Sequence, residues 1–122
     1  MRKSIVQVSP STTVKQAAIL MRKNSVGSVL VNNGQDFIGI VTETDIVQKA
    51  VAQDLSPQIT RVESVMSYPL ITITADDEIG KAAEMMVQNG VRHLAVTQQG
   101  QAVGMISMRD LFHALLTSNE SG

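Results

Sequence analysis

Gly39-Ile40-Val41-Thr42-Glu43-Thr44-Asp45 is answered later in the chain by Gly104-Met105-Ile106-Ser107-Met108-Arg109-Asp110. Both stretches read as a strand that ends at a hydroxyl residue and turns into a helix. They stand at a constant offset of 65 residues, and sliding residues 5–51 onto 70–116 needs no gap. Eight pairs are then identical: Ala17/Ala82, Ala18/Ala83, Met21/Met86, Asn24/Asn89, Val26/Val91, Val31/Val96, Gly39/Gly104 and Asp45/Asp110. Conservative pairs such as Val14/Ile79, Thr42/Ser107 and Ile46/Leu111 surround them. The matches fall on core, glycine and cap positions, which marks a structural repeat.

Working outward, each copy has the same internal order. Ile5-Val6-Gln7-Val8 and Leu70-Ile71-Thr72-Ile73 are rich in branched residues, as short strands are. A helix follows, with an apolar stripe of Val14, Ala17, Ala18, Met21 in one copy and Ile79, Ala82, Ala83, Met86 in the other. Thr12 or Thr13 suits its start in the first copy; Asp76, Asp77 and Glu78 suit the positive helix end in the second. Asn24-Ser25 and Asn89-Gly90 are stop signals. Two strands joined by a polar, glycine-bearing turn come next, Ser28–Val31 with Phe37–Val41 and His93–Thr97 with Ala102–Ile106. A last helix is predicted from Glu43 to about Gln53 and from Met108 to about Thr117, with fraying beyond. The fold class is α+β (mixed α/β), two β-α-β-β-α repeats. Repeat 1 spans 4–54, a linker 55–69 and repeat 2 70–117. Pro57 and Pro69 act as breakers in the linker, and Val62–Met66 reads as one helical turn.

At 122 residues the chain is one compact domain by length. A copy of ~48 residues buries too little apolar surface to be comfortably stable alone, so the expected unit is two copies sharing a core. Net charge is −1 with dispersed Lys and Arg, which speaks against a nucleic-acid footprint. The absence of cysteine removes disulfides, thiolate catalysis and Cys-ligated metal. Arg2 and Lys3 open the chain, but Gln7, Ser9 and Pro10 interrupt any signal-peptide apolar core. No apolar run approaches the ~20 residues of a membrane span. The expectation is a soluble cytoplasmic protein with no membrane partner.

The junction motif has its own chemistry. Thr42 and Asp45, like Ser107 and Asp110, sit where a strand ends and a helix begins. Unpaired amides with partial positive charge at such a point suit a phosphate. The hydroxyl adds a donor, and the aspartate can accept from both hydroxyls of a ribose. Gly39 and Gly104 would let a planar base approach the backbone closely. The same spacing is close to a capping box, which stabilises a helix start without any ligand. Arg109 beside Asp110 supplies a planar phosphate donor, whereas copy one has Thr44 there with Glu43 adjacent.

The tandem β-α-β-β-α order, with Gly-x-x-Thr/Ser-x-x-Asp at each strand-to-helix junction, resembles a cystathionine-β-synthase (CBS) domain pair. Val91-Arg92-His93-Leu94-Ala95-Val96 and Val65-Met66-Ser67-Tyr68-Pro69 are similar to that family's habits, and the resemblance covers residues 4–117. It implies a stand-alone Bateman-type regulatory module without catalytic activity, its repeats related by a pseudo-two-fold axis and packed through their sheets. It implies adenosine-containing ligands (AMP, ADP, ATP, S-adenosylmethionine or NAD) in clefts between the repeats, no required cofactor, and a disc-shaped homodimer. On the family's pattern, one cleft joins Ser107, Arg109 and Asp110 to Ser9–Thr12 and Val26-Gly27-Ser28. The other joins Thr42 and Asp45 to Thr74-Ala75-Asp76 and Val91-Arg92-His93. The first is favoured for a phosphorylated ligand.

Other chemistry-bearing residues read more plainly. Arg92 and His93 are neighbours in a strand and point to opposite faces, so only one lies in a given cleft wall. His113 falls on the outer helix, as surface or dimer interface; two distant histidines without cysteine make a poor metal site. Met21, Met85, Met86, Met105 and Met108 fall mostly at core spacing, with Met105 placed to touch a ligand. Ser, His and Asp occur, but without a nucleophile elbow, phosphate loop or paired acids, so no enzyme is read. A competing reading is a ligand-free dimerisation and protein-interaction module whose motifs only cap helices. Under either reading the output needs an effector protein in another chain.

Overall fold

The computed structural model describes residues 5–121; Ser4, the first residue of repeat 1 on the sequence reading, lies outside the described residues, as do Arg2 and Lys3. The chain forms two compact units, one spanning residues 6–70 and the other joining Ile5 to residues 71 onward. The first contains β1 (Gln7–Val8), α1 (Val14–Asn24), β2 (Ser28–Asn32) and β3 (Phe37–Thr42). A short α2 (Glu43–Asp45) then runs into a π-helical segment (Ile46–Val51), and a 3-10 turn (Val62–Ser64) follows. The second contains β4 (Thr72–Thr74), α3 (Ile79–Asn89), β5 (His93–Gln98), β6 (Gln101–Ser107) and α4 (Met108–Ser121).

Each unit has a three-stranded sheet, ordered β1-β2-β3 in one and β4-β5-β6 in the other. The first strand pairs parallel to the second, which pairs antiparallel to the third. Register repeats as faithfully as sequence. Gln7 faces Leu30 and Ser28 faces Thr42; Thr72 faces Ala95 and His93 faces Ser107. A bulge follows Val31 in one hairpin and Val96 in the other, next to the residues opposite Gly39 and Gly104. An extra residue there fixes which side chains face the core.

Local chemistry accounts for the helix ends. Thr13, not Thr12, caps α1 in a capping box: its Oγ1 accepts from Gln16 N at 3.1 Å, and Gln16 Oε1 accepts from Thr13 N at 3.0 Å. Ser25 and Gly90 take the left-handed conformation after α1 and α3, with φ 53° and 64°. Asn24 and Asn89 donate back to the carbonyls of Leu20 and Met85 at 2.9 and 2.8 Å. The acidic run before α3 serves differently from expectation. Glu78 occupies the N-cap without a side-chain bond, and Asp77 Oδ2 accepts from Thr74 N at 3.0 Å, holding the end of β4.

Several boundaries differ from those read in the sequence. The opening strands are shorter, starting at Gln7 and Thr72 rather than Ile5 and Leu70. The helix expected over Glu43–Gln53 is α only through Asp45 and then widens to π spacing. Ala52 N donates to Val47 O at 2.8 Å and Leu55 N to Ala50 O at 3.0 Å, each five residues back. Branched Ile46, Val47 and Val51 crowd an α-turn, which weakens the competing form. The helix expected to end near Thr117 continues to Ser121.

Two cores result. Val8, Val14, Ala17, Met21, Val29, Val31, Val41 and Ala50 build the first, joined by Val62 and Val65 from beyond the repeat. Ile73, Ala82, Met86, Leu94, Val96 and Leu111 build the second. Residues 55–69, read as a linker, are thus part of the first unit. Val14 N donates to Thr60 O at 2.8 Å, Lys15 N to Pro57 O at 3.0 Å and Val62 N to Thr12 O at 2.8 Å. Farther on, Ile40 and Ser67 exchange backbone bonds of 3.0 and 2.8 Å, which lays the chain along β3.

Candidate functional site

Each repeat carries a candidate site at its strand-to-helix junction, and each junction closes as a capping box. Thr42 Oγ1 accepts from Asp45 N at 3.1 Å, while Asp45 Oδ2 accepts from Thr42 N at 3.0 Å. Ser107 Oγ accepts from Asp110 N at 3.1 Å, and Asp110 Oδ2 accepts from Ser107 N at 2.8 Å. The preceding loop pins each helix start: Glu43 N donates to Gly27 O at 3.1 Å and Met108 N to Arg92 O at 2.8 Å. Each repeat therefore gathers its own set. Gly27, Ser28, Thr42 and Asp45 come together in one, with Arg92, His93, Ser107 and Asp110 in the other.

The sets differ in charge and access. Asp45 is buried, and its carboxylate is engaged on both oxygens. Thr42 Oγ1 donates to Oδ2 at 3.1 Å, Ser67 Oγ donates to Oδ1 at 2.8 Å, and Lys49 Nζ stands 2.9 Å from Oδ1. Lys49 Nζ also reaches Ser67 Oγ at 3.3 Å. In repeat 2 the position of Lys49 is Ala114, and among the described residues no ion pair is formed to Asp110. Met108 replaces Glu43, Arg109 replaces Thr44 and Arg92 replaces Gly27. Asp110 is half-buried, with Arg92 and Arg109 exposed. The first junction is an internally neutralised carboxylate; the second has a carboxylate with two exposed arginines near it in the chain, Arg92 just before β5 and Arg109 in the first turn of α4.

The other residues named from sequence fall as follows. Ser28 is buried opposite Thr42, and His93 is half-buried opposite Ser107 with an interaction of its own. Met105 is buried in β6 opposite Ala95, and His113 is exposed on α4. Thr12 does not join Gly27 and Ser28. Because β1 runs parallel to β2, Ser9 and Thr12 follow the end of β1 beside Asn32, whereas Gly27 and Ser28 open β2 at its other end. Thr12 hydrogen-bonds Ser9 Oγ at 3.1 Å and gives its carbonyl to Val62 N. Ser9 and Pro10 line an open groove of about 410 Å³ with Gln7, Asn32 and Gly34.

Gly39 is not open to a base. A Cβ there would lie 2.8 Å from Ser67 O and 2.9 Å from Met66 Sδ, so the glycine admits the chain's own backbone. Lys49 and Ser67 are the participants that sequence reading missed. The Asp45–Lys49 spacing of four carried a usable signal for an ion pair on a helix. Ser67 had none, being far along the chain. Among the described residues, no group of three His, Asp or Glu is placed to hold a metal, and no helix is long and apolar enough to cross a membrane.

Comparison with known proteins agrees with this architecture. The family model for the CBS domain matches residues 1–52 and again 62–117. An uncharacterized protein of Methanopyrus kandleri is 36% identical over 112 residues; the match takes in 90% of this chain and 57% of that protein, so this chain spans little more than half its relative. A CBS-domain protein structure from Burkholderia ambifaria MC40-6 superposes with a TM-score of 0.90 at 32% identity, covering 94% of this chain and 85% of the other. A CBS domain protein from Pyrobaculum aerophilum, solved in complex with AMP, gives a TM-score of 0.84 at 29% identity, covering 100% and 95%.

Proposed function

Because the chain belongs to the CBS-domain family and carries the domain twice, we propose that it is a regulatory module whose Ser107–Asp110 junction binds a phosphorylated adenosine ligand. One observation carries the assignment: Asp110 is half-buried beside exposed Arg92 and Arg109, while Asp45 is closed off by Lys49 and Ser67. Asp110 accepts from the ribose hydroxyls, and its remaining oxygen does so without releasing Ser107 N. Arg109 and Arg92 take the phosphates. Two cations favour AMP, ADP or ATP over S-adenosylmethionine, whose sulfonium would add like charge. The AMP complex of the Pyrobaculum relative supports the ligand class.

The ligand acts by population shift and is not turned over. It can move an equilibrium only by its preference for one state over the other. Exposed apolar residues on the outer helices, Val47 and Val51 in one repeat and Phe112 and Leu116 at the matching positions of the other, support a homodimer. The dimer, placed in the cytoplasm, passes the shift to an effector protein.

A second reading is supported by the capping boxes themselves, in which hydroxyl and aspartate satisfy each other's backbone amides. There the module only dimerises and docks. Thermal unfolding with AMP, ADP, ATP or S-adenosylmethionine separates the two. A ligand at ~100 times its Kd adds about 2.7 kcal/mol, a shift of several degrees. Asp110→Asn keeps an acceptor for Ser107 N but loses the charge, and should remove that shift. No shift with any nucleotide from a folded protein favours the docking module.

A further inference from the structure

Asp45 is satisfied by the same kinds of group that a ligand would bring. Its side chain is 6% exposed. Thr42 gives Oδ2 an amide at 3.0 Å and a hydroxyl at 3.1 Å. Ser67 Oγ at 2.8 Å and Lys49 Nζ at 2.9 Å take Oδ1. An ionised carboxylate has about four acceptor sites, so Asp45 is full. Asp110 takes only Ser107 N, on Oδ2, among the described hydrogen bonds and ion pairs. The two groups on Oδ1 have separate supports. Ser67 N donates to Ile40 O at 2.8 Å and Ser67 O accepts from Ile40 N at 3.0 Å, an approach for which Gly39 leaves room. Lys49 comes from the π-helical stretch Ile46–Val51, whereas the matching residues 111–116 lie within α4. The Lys49 side chain is 46% exposed and Ser67 is half-buried, so the closure lies at the surface.

We propose that Ser67 and Lys49 form an autoinhibitory clasp, occupying Asp45 in place of a neutral cis-diol ligand and leaving Asp110 as the carboxylate open to ligand. The inference rests on the diol chemistry proposed for Asp110 and adds what keeps its equivalent out of use. A ribose diol can reach Asp45 Oδ1 only by displacing the Ser67 hydroxyl and the ammonium. Glu43, exposed in the turn that carries Asp45, repels a phosphate, so the opened site takes a nucleoside in preference to a nucleotide. Because the backbone of Ser67 is held by Ile40 and not by Asp45, the clasp opens at its side chains with the segment still in place.

The test follows backbone amides by ¹⁵N NMR as adenosine or 2′-deoxyadenosine is added to the full chain. In the unaltered protein, residues 42–45 should not move. In the double variant Lys49→Ala, Ser67→Ala they should shift saturably, with 2′-deoxyadenosine binding weaker by about tenfold or more. Each spectrum reports folding directly. Ser67→Ala alone keeps the Lys49–Asp45 ion pair and should admit adenosine more weakly; it decides the matter should the double variant not fold. Equal saturable shifts at residues 42–45 in the unaltered protein overturn the clasp, and so does their absence from a folded variant. Equal binding of the deoxynucleoside overturns it as well. AMP shifts at residues 107–110 are read separately: their absence sinks the reading of Asp110, whereas residues 42–45 judge the clasp.

Discussion

Asp45 and Asp110 occupy the same place in their repeats and do different work. The first ties together Thr42, Lys49 and Ser67; the second meets only Ser107 among the described hydrogen bonds. Asp45→Ala should therefore cost about 2 kcal/mol in urea unfolding, and Asp110→Ala about 1 kcal/mol. Equal costs would mean that Lys49 and Ser67 contribute nothing. Gly39→Ala drives a methyl into Ser67 O and Met66, and should destabilise by about 1–3 kcal/mol. The capping pair at each junction was legible in sequence because hydroxyl and aspartate recur at one spacing. The use of Gly39 was not, because the group that approaches it lies well along the chain and leaves no local trace.

Helices and strands were legible where their signals are local. The stripe of Val14, Ala17 and Met21 is buried as its spacing requires, and Gly90 ends α3 in the left-handed conformation. Ser25 does the same work for α1 at φ 53°, against a side-chain penalty that Gly90 avoids. Ser25→Gly should stabilise the protein by about 0.5–1 kcal/mol, seen as a higher urea midpoint with unchanged slope. A loss of stability would mean that the serine side chain matters more than its backbone. The π-helical segment after α2 escaped sequence reading, since the branched residues that disfavour an α-turn do not say what replaces it. The 55–69 segment escaped for another reason: proline breakers mark an end of regular structure, not an end of burial. Val62→Ala should cost about 2 kcal/mol, a core penalty, while Val87→Ala on the exposed face of α3 stays within about 0.5 kcal/mol.

At the scale of the whole molecule, the repeat was fully legible and its asymmetry was not. Two copies with one register and one bulge position follow from the 65-residue offset. The unequal cores depend on what lies over them, which no pairwise match of the copies reports. The exposed outer helices give the last prediction. For the proposed homodimer, Val47→Asp combined with Phe112→Asp should give a monomer in sedimentation velocity, with the circular dichroism spectrum unchanged. A dimer that survives both charges would have to associate through another face.

The burial of Val62 and Val65 also sets a timetable. A chain emerging from the ribosome completes the last helix of its first repeat while the residues that seal that core are still unmade. At ~5–20 residues per second, the interval between Val51 and Val65 lasts on the order of a second. During it the first repeat is a nascent, open structure, and its maturation is scheduled by a stretch that sequence alone assigns to the space between repeats.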